Sequence, residues 1–245
     1  MGVQRLHLKE TPSTNTVALE WLRQKPPEGA LVWASRQTAG RGQTGSSWIA
    51  EPGQNFTGSY ILYPGFLAPD RLHLVTHIAA IAVLRFLQSE IFGQDIRIKW
   101  PNDVWVGGRK ICGILTENVW NGDQLVGMVC GIGLNLNTLQ FPPELQDRAV
   151  SLAQLSGKQY RIEDCIQELS RHLEICWLQL RSGRNEGLQS TYLQHLYRYQ
   201  ETGWYDRGQG AEQATLVGVT PEGKLALDFG NGKLSTFGIK EIQFL

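Results

Sequence analysis

Three stretches of the chain carry residue types that can hold and activate an anion. In Arg36-Gln-Thr-Ala-Gly-Arg-Gly-Gln-Thr-Gly-Ser-Ser-Trp48, Gly40, Gly42 and Gly45 let the backbone approach a ligand and turn its N–H groups inward. Arg41 adds a fixed positive charge suited to a phosphate or a carboxylate. The loop is not a Walker loop, because no Gly-Lys-Ser/Thr follows, and its glycine spacing is not that of a dinucleotide fingerprint. The second stretch, Lys99-Trp-Pro-Asn-Asp103, is followed by Gly107-Gly108 and then Lys110. A tight hairpin there can bring Lys99, Asn102, Asp103 and Lys110 to one site. The third, Thr11-Pro-Ser-Thr-Asn15, is rich in helix-capping residues, and a helix N-terminus exposes N–H groups that can hold an anion. Each stretch has a plain structural alternative: a flexible surface loop, a solvated hairpin, and a helix cap with no ligand.

The elements that position these residues follow from hydrophobic spacing and turn chemistry. Trp100-Pro-Asn-Asp103 predicts a turn, because proline restricts the residue before it and Asn and Asp bond their own backbone. Val104–Val106 and Lys110–Leu115 predict strands around Gly107-Gly108, which supply the positive φ of a two-residue turn. The second strand runs on to Trp120, turns at Asn121-Gly122 and returns through 124–137, giving an antiparallel meander over 97–137. Gly131 and Gly133 fall on one face of it and leave room for a ligand against the sheet, or else mark bulges. Asn135 continues that face. Further strands are expected at Gln4–Leu8, Ala30–Ser35 and Asn55–Leu62, and Val17, Leu19, Trp21 and Leu22 suggest a short helix ending before Pro26-Pro27. Long helices are expected from a cap at Asp70 to Phe92, ended by Gly93, and over Ile162–Leu180, with another at roughly 186–197. His73 and His77 have metal-compatible spacing, but no third ligand is evident, so they are expected to pack. From about Glu201 the texture becomes short strands and glycine-rich turns, including Gly230-Asn-Gly232, which suits a small β-barrel. The expected fold is α+β, with a largely antiparallel mixed sheet packed with helices over residues 1–199 and the barrel over 200–245.

Composition narrows the class of protein. The chain has 245 residues, with 23 basic side chains balanced by 23 acidic ones, so nothing favours nucleic acid as the main partner. The four cysteines lie in apolar segments without Cys-x-x-Cys spacing and read as buried free thiols of a reducing compartment. No apolar run is long enough for a signal peptide or a membrane span. The expectation is a cytoplasmic protein with no membrane partner.

Five motifs in order resemble those of the bacterial biotin–protein ligase family. Ser13-Thr-Asn15 is similar to its early Ser-Thr-Asn, and Gly40–Trp48 to its Gly-Arg-Gly-Arg-x-Gly-Arg-x-Trp loop. Lys99–Asp103, Lys110-Ile-Cys-Gly-Ile-Leu115 and Gly131-Ile-Gly-Leu-Asn135 resemble its central motifs and its Gly-x-Gly-x-Asn strand. The resemblance covers essentially the whole chain, and it implies that the C-terminal barrel is SH3-like. It also implies that biotin and Mg-ATP give biotinyl-adenylate and pyrophosphate, and that biotin then passes to a lysine of a biotin carboxyl carrier protein. By this resemblance Ser13, Thr14, Asn15, Gln37, Gly40, Arg41, Gly42, Gln43, Lys110, Gly113, Leu115, Gly131 and Gly133 bind biotin. Arg41, Trp48, Lys99, Asn102, Lys110 and Asn135 bind ATP, with Trp48 stacked on adenine and Asn135 at its edge. Attack of an anion on a polyphosphate needs charge cancellation, for which Arg41 and Lys110 are the candidates. The second step needs a neutral amine, and Asp103 is suited to orient the acceptor ammonium and take its proton. No residues are assigned to the metal, and the resemblance leaves room for a homodimer.

The chain departs from the family in carrying Gln43 and Ser46 where arginines are usual, so the loop keeps one cation of three. Either a looser hold on phosphates and adenylate, or a cation borrowed from elsewhere, such as Lys99 or one from the barrel, is expected. The early Ser-Thr-Asn at residue 13 also leaves no room for the N-terminal DNA-binding domain of some relatives, so ligase activity without specific DNA binding is expected. The alternatives are a lipoate–protein ligase and a biotin- or nucleotide-binding protein without catalysis.

Overall fold

The computed structural model describes every residue except Thr44 and Asn231. The expected glycine loop at 40–48 and the turn at 230–232 each contain one of these, which therefore lie outside the described residues. The elements run β1 (Arg5–Leu8), α1 (Thr14–Leu22), β2 (Leu31–Ala34), β3 (Phe56–Leu62), α2 (Leu74–Glu90), β4 (Ile96–Lys99), β5 (Asp103–Val106), β6 (Arg109–Asn121) and β7 (Gln124–Leu134). There follow α3 (Leu152–Ser156), α4 (Ile162–Arg181), α5 (Glu186–Gln194) and five short strands, β8 (Thr202–Asp206), β9 (Ala211–Val219), β10 (Leu225–Asp228), β11 (Leu234–Phe237) and β12 (Gln243–Phe244).

Strands β1 to β7 form one sheet in the order β1-β2-β3-β7-β6-β5-β4. Only β1 and β2 pair in parallel, so the sheet is mixed and largely antiparallel, as expected. Side chains alternate between its faces. Leu31, Trp33, Tyr60, Leu62, Met128 and Cys130 enter the large core under α2 and α4. Val32, Ile61 and Val129, one residue out of phase, form a small core with Ala18 and Leu22 of α1. The α1 face of the sheet is therefore only partly filled by apolar side chains, and the polar residues of the next rows occupy the rest of it.

Helix α2 differs at both ends from the expected span. Asp70 does not cap it. Pro69 lacks an N–H and sits early in a separate 3₁₀ turn, Pro69–Arg71, and the α-helix starts after His73, whose Nδ1 lies 3.0 Å from the Asp70 carbonyl oxygen. It ends at Glu90, two residues short of Phe92, with Gly93 at positive φ just beyond. By length and composition the Pro69–Glu90 stretch could cross a membrane, but most of it is buried inside the protein, as suits a helix apolar on all sides. The third expected helix also ends early, at Gln194, because the chain then extends along β4. Ile98 N–H donates to the His195 carbonyl and Tyr197 N–H to the Ile98 carbonyl, covering the sheet edge.

The C-terminal strands form a second, antiparallel sheet in the order β11-β10-β9-β8-β12. Among the described residues β11 and β12 do not pair with each other. Tyr205, Leu216, Leu225, Leu227 and Ile242 of this segment belong to the same core as α2 and the main sheet.

Candidate active site

The partly filled face of the sheet carries a ladder of small and polar residues. Thr57, Gly133, Gly113, Asp103 and Lys99 pair in turn across β3, β7, β6, β5 and β4, and Ser59, Gly131 and Leu115 form the next row. Above these rows lies a cavity of about 330 Å³. Of the expected residues, Ser13, Thr14, Asn15, Gln37, Arg41, Gly42, Gln43, Trp48, Asn102, Asp103, Lys110, Gly113, Leu115, Gly131 and Gly133 line it.

One wall is the start of α1. Ser13 occupies the N-cap position in extended conformation, but its hydroxyl makes no cap bond and the side chain lines the cavity. The Thr14 N–H and hydroxyl both donate to Gln37 Oε1, at 2.8 and 3.1 Å. Buried Ser59 Oγ lies 2.8 Å from Thr14 Oγ1 and donates to Asn15 Oδ1 at 2.6 Å. Asn15 Nδ2 donates to Glu117 Oε2 at 2.7 Å and to the Leu115 carbonyl at 3.3 Å. These bonds tie the helix start to the sheet.

The glycine loop is a hairpin closed by Trp48 N–H on the Gly40 carbonyl (2.9 Å) and Gly42 N–H on the Ser46 carbonyl (2.9 Å). Gly40 does not line the cavity; a Cβ there would come 2.4 Å from the Trp48 carbonyl oxygen, so close packing of the hairpin requires glycine. Arg41 Nη2 donates to Glu117 Oε2 at 2.9 Å. Gly131 and Gly133, expected to leave room against the sheet, do line the cavity, and side chains of this chain share that room. A Cβ at Gly131 would lie 2.2 Å from Asn15 Oδ1, and one at Gly133 would lie 2.3 Å from the Trp48 ring. Part of the room left by the glycines is taken by this chain's own side chains, Asn15 over Gly131 and the Trp48 ring over Gly133.

The opposite wall is the 100–103 turn, which contains a cis Trp100–Pro101 bond, and the hairpin after it. Asn102 is locked by Nδ2 donating to the Ile114 carbonyl (2.7 Å) and its own carbonyl accepting from Ile114 N–H (2.9 Å). Lys110 Nζ sits 2.7 Å from Asp103 Oδ1 and 5.8 Å from the centre of a Trp48 ring.

Two expected ligands of the nucleotide are placed elsewhere. The Lys99 ammonium lies 3.9 Å over the Trp105 ring, near Tyr197 and Phe244, and burial lowers its pKa. It is held by these rings and does not line the cavity. Asn135 is buried at the strand end, its Nδ2 donating to the Val150 carbonyl at 3.2 Å. Sequence reasoning missed Ser59, Thr57 and Glu117. Alternation carried a signal for each: Thr57 and Ser59 interrupt an otherwise apolar strand, and Glu117 follows Leu115 at period two.

Outside the cavity, His77 stacks on Tyr192 with ring centres 3.8 Å apart, and burial holds its pKa down to about 3. Among the described residues no group of three His, Cys, Asp or Glu side chains could hold a metal ion. All four cysteines are buried free thiols, Cys130 and Cys165 being pushed up to about 12 by burial.

Comparison with known proteins gives a consistent picture. Residues 8–135 match the biotin/lipoate A/B protein ligase family. The bifunctional ligase/repressor BirA of Bacillus subtilis is 36% identical over 179 residues, which is 72% of this chain and 53% of that protein. The biotin–acetyl-CoA-carboxylase ligase of Paracoccus denitrificans is 38% identical over 131 residues, 53% of each chain. This chain thus spans about half the length of the curated relatives it matches. The structure of a biotin protein ligase from Aquifex aeolicus, in complex with biotin and ATP, superposes with a TM-score of 0.82 over 99% of each chain at 22% identity. A Leishmania major biotin protein ligase in complex with biotinyl-5-AMP gives 0.67, over 97% of this chain and 100% of that one, at 21% identity. At these identities the likeness speaks for the fold.

Proposed function

The chain belongs to the biotin/lipoate A/B protein ligase family, and on that premise we propose that it activates biotin with ATP and transfers it to a lysine of a biotin carboxyl carrier protein. The observation that carries this reading is the meeting of two cations, Arg41 and Lys110, at one cavity whose inner wall is the polar Ser13–Asn15 turn. In this reading the polar end of biotin meets Ser13, Thr14, Asn15 and Gln37, and its carboxylate points toward Lys110. A carboxylate is already a nucleophile and needs no base. It attacks the α-phosphorus of ATP, the bond to pyrophosphate breaks, and biotinyl-adenylate remains. Arg41 and Lys110 offset the charge that brings two anions together. Trp48 offers adenine a flat apolar surface. Lys99 and Asn135 reach the nucleotide only by leaving Trp105 and Val150, so they carry less of this proposal. Magnesium arrives with the nucleotide, held by phosphates and water. Asp103 and Glu117 are each engaged with a cation, which suits them poorly to a dedicated metal site.

In the second step the acceptor amine attacks the acyl carbon, AMP leaves, and Asp103 takes the amine proton. The ion pair with Lys110 places that carboxylate beside the group that meets the phosphate, so one contact serves both steps. Residues 1–199 are proposed as the catalytic unit, and the C-terminal sheet over 200–245 as an SH3-like barrel packed against it.

The test is incubation with ATP and either biotin or lipoate, reading pyrophosphate release and the mass of a carrier domain. Biotin-dependent release with addition of one biotinyl group to the carrier is expected. Lys110→Ala should slow both steps by about 10²–10³-fold, the usual loss for one preorganised charge-stabilising donor. Transfer of lipoate instead of biotin, or wild-type rates in Lys110→Ala, would overturn the proposal.

A further inference from the structure

Glu117 lies beyond the recognisable motifs and does not itself line the cavity. Its Oε2 nevertheless accepts from two residues that do, Arg41 Nη2 at 2.9 Å and Asn15 Nδ2 at 2.7 Å. Asn15 is buried, held by Ser59 and seated on Gly131, so that donor is fixed. Glu117 stands mid-strand, paired with Val129 in the centre of the sheet, so its backbone is fixed as well. Arg41 belongs to a loop whose other hydrogen bonds, among the described residues, close on the loop itself. These are Gly42 N–H to the Ser46 carbonyl, Ser46 N–H and Oγ to the Gln43 carbonyl, and Trp48 N–H to the Gly40 carbonyl. The loop is therefore fastened to the sheet by one ion pair and by the packing of Trp48.

We propose that Glu117 is a positioning residue that fastens the Gly40–Trp48 loop over the cavity and presents Arg41 to the anion bound there. A guanidinium has five N–H donors. One of them on Glu117 leaves the others for a phosphate or carboxylate, and a carboxylate anchored on a rigid strand fixes where they point. The sharing of one oxygen with Asn15 also couples the loop to the biotin-facing turn, so the two walls of the cavity are held by a common point. The anchoring stands on the geometry alone; its consequence for an adenylate intermediate rests on the function proposed above.

Glu117→Gln keeps the side chain's size and an acceptor oxygen while removing the charge. In ligand-free protein, hydrogen exchange at the amides of Gly42, Ser46 and Trp48 should quicken about two- to fivefold, the range that partly exposed ion pairs are worth, with the 97–106 amides unchanged. Arg41→Gln should give the same acceleration, and the double variant no more than either, because both remove one interaction. Escape of biotinyl-adenylate, followed in single-turnover reactions without carrier, should rise by the same factor in Glu117→Gln. Wild-type exchange in either single variant, or additive effects in the double variant, would overturn the inference. Loosening of the loop in a protein that forms no adenylate from biotin would leave the anchoring in place and refute the proposed function instead.

Discussion

Replacing Gly131 with alanine tests how rigidly the helix start is tied to the sheet. The new methyl carbon would lie 2.2 Å from Asn15 Oδ1, 3.0 Å from its Cγ and 3.2 Å from its Nδ2. Neither side can yield easily. Gly131 is paired with Ser59 on one flank and Leu115 on the other, and Asn15 is bonded to Ser59, Glu117 and Leu115. If Asn15 stays, the overpacking costs about 1–3 kcal/mol. If it swings away, it forfeits about 1 kcal/mol per lost hydrogen bond and leaves buried Ser59 with Thr14 Oγ1 as its remaining acceptor. The loss of chain entropy in the unfolded state returns about 0.4–1 kcal/mol. The net loss is about 0.5–2.5 kcal/mol, or a fall in Tm of roughly 1–10 °C for a chain of this size. Urea unfolding measures it, with Gly187→Ala as the control, because an alanine at that helical glycine meets nothing within 4 Å and should be neutral or stabilising. In an Asn15→Ala background the added methyl should be tolerated, giving a strong coupling between the two positions. Stability of Gly131→Ala within about 0.5 kcal/mol of wild type would refute a rigid helix-to-sheet network.

Two further perturbations probe the rest of the molecule. Burial holds His77 neutral down to about pH 3, whereas the unfolded chain takes up that proton near pH 6.5. Its contribution to stability is thus complete above about pH 6.5 and is lost as pH falls from there toward 3, by about 2 kcal/mol between pH 7 and 5. His77→Phe, which keeps an aromatic ring against Tyr192, should show a correspondingly shallower loss of unfolding free energy over that interval, and an unchanged slope would refute it. Gln43→Arg restores a usual cation to the cavity rim and should slow adenylate release; an unchanged off-rate in a stopped-flow or hydrolysis assay would refute that expectation.

Local signals in the sequence located most of the elements and most of the cavity. Asn121-Gly122 and Gly107-Gly108 fixed the hairpins of the meander, and period-two spacing put Gly131 and Gly133 on one face. The start of α2 was misread because Asp70 is a good capping residue, while Pro69 before it forms a tight turn that ends before the helix begins. Contacts between distant segments were less legible. Asn15 meets Glu117 across 102 positions of sequence, and Lys99 meets Phe244 from a separate sheet. Motif spacing carries no information on such pairs, neither on Glu117 beside Asn15 nor on Lys99 over Trp105. How the space above the glycines is shared was equally invisible, since only the folded chain shows Asn15 and Trp48 entering it.

The continuity of the core across the C-terminal sheet bears on how the molecule comes apart. Leu216, Leu225 and Leu227 bury themselves in the same cluster as Ile78 and Leu84 of α2, and the Trp100 indole N–H donates to the Gly223 carbonyl at 3.0 Å. Melting the last 45 residues alone would expose that apolar surface and leave the indole of the 100–103 turn without its acceptor. The two sheets should therefore unfold in a single cooperative step, and a fragment cut at the chain's change of texture would lose the shape of the cavity wall along with its missing strands.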